Sequence, residues 1–173
     1  MRKLAAVFIA MICLLMTNVV SAERHEFNGH HYEVFDIPLD WVQAQQYCWA
    51  LGGNLAAIES AEEQQFVESV LGIMNCYWLG GIRDYNRGWD WYWMQPYEKI
   101  RYTNWAPGQP DNYCGAWEQN LQSGEHVLMM YNFRNPNAHA AKGEWNDIRP
   151  DGECAGDSFY GVQNFGFVCE WNS

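Results

Sequence analysis

The stretch Tyr77-Trp78-Leu79-Gly80-Gly81-Ile82 decides the fold of this chain. A short apolar run that is rich in aromatic and branched residues is typical of a buried β-strand. Two segments with a helical spacing of apolar residues precede this strand, and only strand-like segments and loops follow it. Two helices followed by several short strands predict an α+β fold.

The two helices before this strand have recognisable start and stop signals. Asp40 is placed to cap the first helix, which Gly52-Gly53 ends. Ser60 and Glu63 form a capping box at the start of the second helix, which Gly72 ends. One face of each helix is expected to be buried. The residues expected there are Trp41, Ala44, Gln45, Cys48 and Leu51 in the first helix and Phe66, Val67, Val70 and Leu71 in the second, with Glu62, Glu63 and Glu68 on the outer face of the second.

Four further strands are predicted from runs of apolar residues. Two long stretches between them, residues 103–125 and 134–164, exceed the usual length of a loop, and such stretches are either functional loops or a sign of a wrong assignment. The predicted strands are Phe27–Phe35, Trp89–Met94 with Trp89, Trp91 and Trp93 on one face, Val127–Phe133 and Phe165–Trp171.

Residues 1–22 have the pattern of a secretory signal peptide: a basic start, an apolar segment over Leu4–Met16, and small residues at Val20-Ser21-Ala22. The apolar segment is shorter than the ~20 residues of a membrane-spanning helix. An uncleaved anchor is the alternative interpretation. We expect residues 23–173 to form one secreted domain, with no membrane insertion after cleavage of the signal peptide.

The acidic composition excludes several classes of partner. The chain has a net charge of −11, which becomes −13 when the two positive charges of Arg2 and Lys3 are lost with the signal peptide. Nucleic acids and anionic membrane surfaces both require basic patches.

We see no nucleophile–base pairing, phosphate-binding glycine loop or zinc-protease motif, so the chain is not expected to be an enzyme.

Two short polar segments carry the chemistry of the chain. Gln109-Pro110-Asp111-Asn112 and Trp145-Asn146-Asp147 each offer amide and carboxylate oxygens from neighbouring positions. Calcium binds six to eight oxygen ligands at ~2.3–2.6 Å. If the fold brings the segments together, they form a site for a hard cation, and two adjacent sugar hydroxyls can fill its open positions.

Five cysteines remain after the signal peptide. An exported protein is exposed to oxidising conditions, so disulfides are expected. Because the number is odd, one thiol is left over or pairs between chains. The cysteines are widely spaced and include no C-x-x-C pair, which argues against a zinc cluster.

A series of motifs in a consistent order resembles the C-type lectin domain family over essentially all of residues 27–171. The resemblance implies an α+β C-type lectin-like fold with two helices packed on short antiparallel sheets, long calcium-binding loops and a disulfide staple. The motifs are Phe27-x-Gly29-x-x-Tyr32, Trp41-x-x-Ala44-x-x-x-Cys48-x-x-x-Gly52-Gly53-x-Leu55-Ala56-x-Ile58, Tyr77-Trp78-Leu79-Gly80-Gly81, Asn104-Trp105-x-x-Gly108-Gln109-Pro110-Asp111, Trp145-Asn146-Asp147 and Phe167-Val168-Cys169-Glu170.

The resemblance also implies a disulfide between Cys48 on the first helix and Cys169 on the last strand. The chain departs from the family at the second disulfide, because Val127 stands where one of its cysteines is usual. We pair Cys114 with Cys154, since both lie in or beside loops that look inserted, and this leaves Cys76 free. A bond from Cys76 to Cys114 or to Cys154 remains open.

The resemblance also implies a Ca²⁺ site that binds sugar directly. Glu118 is an alternative to Glu125 as the glutamate ligand, and we prefer Glu125 because strand-like apolar residues follow it. Asp147 would provide its carboxylate and its main-chain carbonyl. The implied ligands of the ion and the sugar are Gln109, Asp111, Glu125, Asn146 and Asp147.

The order of Gln109 and Asp111 around the proline resembles the galactose type of the family, whereas Glu-Pro-Asn marks the mannose type. Galactose has an apolar face, which galactose-type members cover with an aromatic residue shortly after the motif. Tyr113 stands at the matching place and Trp117 is a second candidate. Packing within the long loop is the alternative role for both.

We therefore expect a secreted, calcium-dependent lectin whose partners are glycans, of galactose or N-acetylgalactosamine type. The alternative is a lectin-like fold used for protein recognition or adhesion without sugar binding, since a fold does not determine a function. A single sugar site binds weakly, so oligomerisation is possible as a route to avidity.

Overall fold

The computed structural model describes residues 23–113, 124–153 and 161–172. The described residues form two α-helices, α1 (Trp41–Ala50) and α2 (Ala61–Val70), and two single 3₁₀ turns, Tyr85–Arg87 and Val162–Asn164. Their nine strands are β1 (Arg24–Phe27), β2 (His30–Phe35), β3 (Asn54–Leu55), β4 (Cys76–Asp84), β5 (Asp90–Trp93), β6 (Glu98–Lys99), β7 (Val127–Tyr131), β8 (Trp145–Ile148) and β9 (Phe165–Asn172). In these three ranges, every helix is too short or too polar to cross a membrane. The α+β prediction is confirmed.

Strand β4 is the centre of the sheet. It pairs antiparallel with β5 and β7 and parallel with β9. The remaining strands extend the sheet, because β2 joins β1 to β9, β6 pairs with β5, and β8 pairs with β7. Neighbours on both sides leave Tyr77, Trp78 and Leu79 fully buried. The predicted buried strand is confirmed.

Helix α1 begins as predicted and is tied to the central strand. The Asp40 carboxylate accepts a hydrogen bond from the main-chain N–H of Gln43 at 2.7 Å, and the Gln43 side chain accepts one from the Asp40 N–H. The Trp41 indole N–H donates to the Leu79 carbonyl at 2.8 Å. Four of the five residues expected in the core are buried, but Leu51 is the C-cap and is 46% exposed.

Helix α2 differs from the prediction at Glu63. Ser60 caps the helix by accepting a bond from the Glu63 N–H, but the Glu63 carboxylate accepts from the N–H of Glu59 and from the hydroxyl of Tyr32. The Ser60 half of the predicted capping box is present. The Glu63 half is wrong, because the Glu63 carboxylate accepts from Glu59 and Tyr32 rather than from the Ser60 N–H. Glu63 is also buried, because these two donors satisfy its carboxylate. Of the expected apolar stripe, Val67 is buried, and Phe66, Val70 and Leu71 are only partly buried.

Two of the predicted strands are also corrected. The opening strand is a hairpin, in which β1 and β2 are joined at Asn28-Gly29, with positive φ angles of 49° and 82° that suit a two-residue turn. Trp89 lies before β5 rather than in it and is 48% exposed, whereas Trp91 and Trp93 are buried as expected. The loop predicted over residues 134–164 contains β8.

The first helix and the last strand are joined covalently. Cys48 and Cys169 form a disulfide with their Cα atoms 5.5 Å apart, as the family resemblance implied. The bond closes a loop of 121 residues, which is worth about 4–5 kcal/mol in the chain-entropy account. Cys76 is buried and has no disulfide among the described residues. The proposed pair of Cys114 and Cys154 lies outside them.

Candidate functional site

Strand β8 holds Asn146 and Asp147 in a rigid setting. The preceding residue, Trp145, is fully buried, and its indole N–H donates to the Gln64 side-chain oxygen at 2.9 Å. Its ring also packs edge-on against Trp93, Tyr102 and Trp105. Because Trp145 is fixed by α2 and by an aromatic cluster, the two polar residues after it have little freedom to move.

The Asp147 carboxylate brings the two predicted polar segments together. Its Oδ1 accepts the main-chain N–H of Asp111 at 3.0 Å, and its Oδ2 accepts the N–H of Asn112 at 2.9 Å. Both bonds join residues that are about three dozen positions apart in the chain, and Asp147 is fully buried. The segments therefore meet as the sequence predicted.

The first segment is folded by its own side chains. The peptide bond from Gln109 to Pro110 is cis. The Gln109 side-chain oxygen accepts the N–H of Asp111 at 3.1 Å, and the Asp111 carboxylate accepts the N–H of Tyr113 at 3.0 Å. Asn112 has a positive φ of 55°, and its side-chain oxygen accepts the N–H of Glu125. The turn is thereby attached to the residues that precede β7.

Three carboxylates converge at this point. Oxygens from Asp111, Glu125 and Asp147 all lie within 4.8 Å of one another. Two oxygens that bind one calcium ion at ~2.3–2.6 Å can lie at most about 5 Å apart. Glu125 and Asp147 are buried whereas Asp111 is exposed, so the cluster opens to solvent on the side of Asp111.

Burial and the neighbouring negative charges disfavour the charged forms of Glu125 and Asp147 and so raise their pKa values. Burial, followed by the charges of Asp147 and Asp111, raises the pKa of Glu125 to about 9. Burial also raises the pKa of Asp147 to about 6, although the N–H groups of Asn112 and Asp111 act in the opposite direction. A divalent cation among the three would offset the repulsion.

Two buried oxygens test whether a cation fits. Glu125 Oε2 and Asn146 Oδ1 are buried and have no hydrogen-bond partner among the residues that the structure describes. A buried acceptor without a partner costs free energy that a ligand can recover. With the carboxylates, they make an all-oxygen donor set, which suits calcium or magnesium rather than zinc. The residues therefore fit a hard divalent cation.

Arg83 is a neighbour of the cluster that the sequence did not reveal. It lies near the end of β4, and its Nη1 atom is 3.6 Å from Asp147 Oδ2. Its side chain is 15% exposed. No local motif marks this contact, because it depends on the pairing of β4 with β7 and of β7 with β8.

The other predicted site residues fall into two groups. Gln109 and Tyr113 lie on the same turn as Asp111, and Tyr113, two residues after Asp111, is 68% exposed. Trp117 and the alternative ligand Glu118 lie outside the described residues. Glu125, which we preferred on the basis of the following strand, lies in the cluster.

The family described as the lectin C-type domain matches residues 37–149, which is more than half of the chain. The chain belongs to the C-type lectin domain family. Membership in this family of binding domains agrees with the expectation that the chain is not an enzyme.

Individual relatives give the same result. The chain is 33% identical to rat asialoglycoprotein receptor 1 and 35% identical to rat C-type lectin domain family 10 member A, each over 122 residues, or 70% of this chain. The matched region covers 38% and 35% of those two proteins, so the lectin domain spans little more than a third of their length. The mouse scavenger receptor C-type lectin carbohydrate-recognition domain has a similar structure, with a TM-score of 0.63 and 25% identity over 86% of this chain and 95% of that one.

Proposed function

We propose that this chain is a secreted, calcium-dependent carbohydrate-binding domain of the galactose type. Residues 1–22 are the signal peptide in this proposal, and residues 23–173 form the domain. The observation that carries the proposal is the convergence of Asp111, Glu125 and Asp147 beside the turn that begins at Gln109.

The cation would be held by oxygens from both polar segments. When bound, calcium supplies coordination positions for two adjacent sugar hydroxyls. Asp147 organises the site, because its carboxylate holds the main chain of Asp111 and Asn112. The proposed ligands are Gln109, Asp111, Glu125, Asn146 and Asp147.

Selectivity for galactose rests on the turn. Gln109 offers an amide donor and Asp111 a carboxylate acceptor, so the two can bond different hydroxyls of one sugar. The exposed ring of Tyr113 is the proposed cover for the apolar face of galactose, with Trp117 as a second candidate. The relative named asialoglycoprotein receptor 1 supports a glycoprotein ligand, since its name states one.

The proposal is tested by sugar binding with and without calcium. A glycan array and titration calorimetry should show binding of galactose-terminated glycans in millimolar Ca²⁺ and none in chelator. Calcium should also raise the melting temperature, because a ligand that binds only the folded state adds about 2.7 kcal/mol at one hundred times its Kd.

Asp90→Asn is a suitable control variant, because Asp90 is an exposed carboxylate on β5 that pairs with Lys99. It should retain both the calcium response and the sugar binding, and Asp147→Asn should lose both. If the wild type shows neither response, the lectin proposal is wrong and protein recognition takes its place.

Binding of one sugar at a single site is weak, so we also propose that copies of the domain are clustered when they bind glycans on a surface. Light scattering coupled to size exclusion, in calcium and in chelator, would establish whether the clustering is intrinsic to this chain.

A further inference from the structure

The turn after β4 presents a tryptophan in an uncommon backbone conformation. The 3₁₀ turn Tyr85–Arg87 leads into Gly88 and Trp89, which have φ angles of 80° and 69°. Glycine adopts such angles freely, whereas they make a bulky residue an outlier. Outliers of this kind persist where the surrounding structure enforces them, and they concentrate at functional sites.

The Trp89 indole is half exposed and yet fixed. Its residue is 48% exposed. The guanidinium carbon of Arg83 lies 5.6 Å from the ring centroid, and the ring of Tyr85 packs edge-on at 4.5 Å. The main-chain N–H of Trp89 also donates to the Asp84 carbonyl at 3.1 Å. A flat apolar surface is therefore presented to solvent at little further cost in side-chain entropy on binding.

Two side chains connect this turn to the carboxylate cluster. Arg83 contacts Trp89 and also lies 3.6 Å from Asp147 Oδ2. The Tyr85 hydroxyl is hydrogen-bonded to His126 Nδ1, and His126 directly follows Glu125. The Arg83 side chain therefore reaches from the Trp89 indole to the carboxylate cluster.

We propose that Trp89 forms a second sugar subsite, in which the next residue of an oligosaccharide stacks on the indole while the terminal sugar occupies the carboxylate cluster. This inference rests on the proposed lectin function. The apolar face of a pyranose ring packs against an aromatic ring by burying apolar area. A monosaccharide fills only the first site, so the subsite makes the domain favour oligosaccharides.

The chain offers a matched control for Trp89. Trp49 lies on α1, is 49% exposed, and donates its indole N–H to Asn54 at 2.8 Å. Replacing either tryptophan by alanine removes a similar exposed indole. The difference between the two tryptophans is that Trp89 contacts Arg83, whose side chain reaches the cluster, whereas the contact described for Trp49 is with Asn54.

The experiment compares methyl β-galactoside with a panel of di- and trisaccharides that end in galactose, by titration calorimetry in saturating Ca²⁺. Wild type should bind at least one oligosaccharide about fivefold more tightly than the monosaccharide. Trp89→Ala should lose this gain and keep its affinities for the monosaccharide and for calcium. Trp89→Phe should retain part of the gain, and Trp49→Ala all of it.

A second measurement uses the wild-type fold. In ¹⁵N-labelled protein, the indole N–H signal that is absent from Trp89→Phe should shift when the oligosaccharide is added and stay unchanged with the monosaccharide. A gain that survives in Trp89→Ala, an equal loss of monosaccharide binding, or an unchanged indole signal would overturn the subsite. A wild type that binds no methyl galactoside in calcium contradicts the lectin proposal itself, whereas one that binds it without any gain from a longer sugar contradicts the subsite alone.

Discussion

At the scale of single residues, Asp147 connects the two polar segments of the site. It accepts hydrogen bonds from two successive main-chain amides, contacts Arg83, and lies among the oxygens of Asp111 and Glu125. Its position is fixed from three directions before any ligand binds. Glu125 differs, because one of its oxygens has no hydrogen-bond partner within residues 23–113, 124–153 and 161–172. Glu125 is therefore the residue whose charge should depend most strongly on a cation.

Replacing Glu125 by Gln should separate charge from shape. The amide keeps an oxygen in place but cannot ionise, whereas burial and two neighbouring carboxylates disfavour the ionised form of Glu125. We expect the affinity for calcium to fall about tenfold or more, and the melting temperature in chelator to stay the same or rise. Calorimetric titration and thermal melts would check both. Glu62→Gln, on the exposed side of α2, is the control and should change neither.

The raised pKa values predict an unusual dependence of stability on pH in chelator. The pKa values of Glu125 and Asp147, about 9 and about 6, exceed the ordinary values of these groups. Above the ordinary values, the folded state therefore binds more protons than the unfolded chain, and stability falls as pH rises from about 5 to about 9. Calcium displaces those protons, so its affinity should increase over the same range.

Melting curves at each pH, in chelator and in calcium, would test this prediction. Above about pH 6, the melting temperature in chelator should decline less in Glu125→Gln than in the wild type. A melting temperature in chelator that rises steadily across this range would show that the carboxylates are not crowded as described.

At the scale of elements, the turn from Gln109 to Tyr113 determines which hydroxyls the site can accept. The double substitution Gln109→Glu with Asp111→Asn keeps the number of oxygens and the total charge, so calcium binding should largely survive. Donor and acceptor exchange places, and preference should move from galactose toward mannose by about tenfold, since each mispaired contact costs about 1–3 kcal/mol. Tyr113→Ala should weaken galactose binding and leave the affinity for calcium unchanged.

Titration with both sugars would measure the exchange, using wild type as the reference. If the double variant keeps its preference for galactose at full calcium affinity, the turn does not determine selectivity.

The elements that the sequence predicted well are those specified by neighbouring residues. Asp40 caps α1 through contacts three positions away, and the apolar run of β4 is buried as its composition indicates. The errors have distant causes. Glu63 is buried because Tyr32, on strand β2, donates to it. The turn before β5 removes Trp89 from the expected alternation.

In the candidate site too, the features set by neighbouring residues were predictable and those set by distant residues were not. Its two polar segments were recognisable as motifs, and the family resemblance indicated that they meet. The contact of Arg83 with Asp147 could not be predicted from the sequence, because it forms only when strands β4, β7 and β8 pair in the sheet.

At the scale of the whole molecule, the cysteines report on both the fold and its loops. Peptide mapping without reduction should recover Cys48 joined to Cys169 and, as we propose, Cys114 joined to Cys154. Cys76 is fully buried, and burial raises the pKa of its thiol, so a thiol reagent should label it only after unfolding. Rapid labelling of Cys76 in the native protein, or a Cys76–Cys114 peptide, would overturn this assignment.

The disulfide also determines how the domain responds when it is pulled by its two ends. Tension that enters before Cys48 crosses the sulfur–sulfur bond to Cys169 and leaves through the end of β9. The residues between the two cysteines lie off this path, and they include the whole turn at Gln109, the carboxylate cluster and Trp89. Tension applied between the two ends would therefore stretch only the segments outside the two cysteines, because the disulfide carries the load past the residues between them.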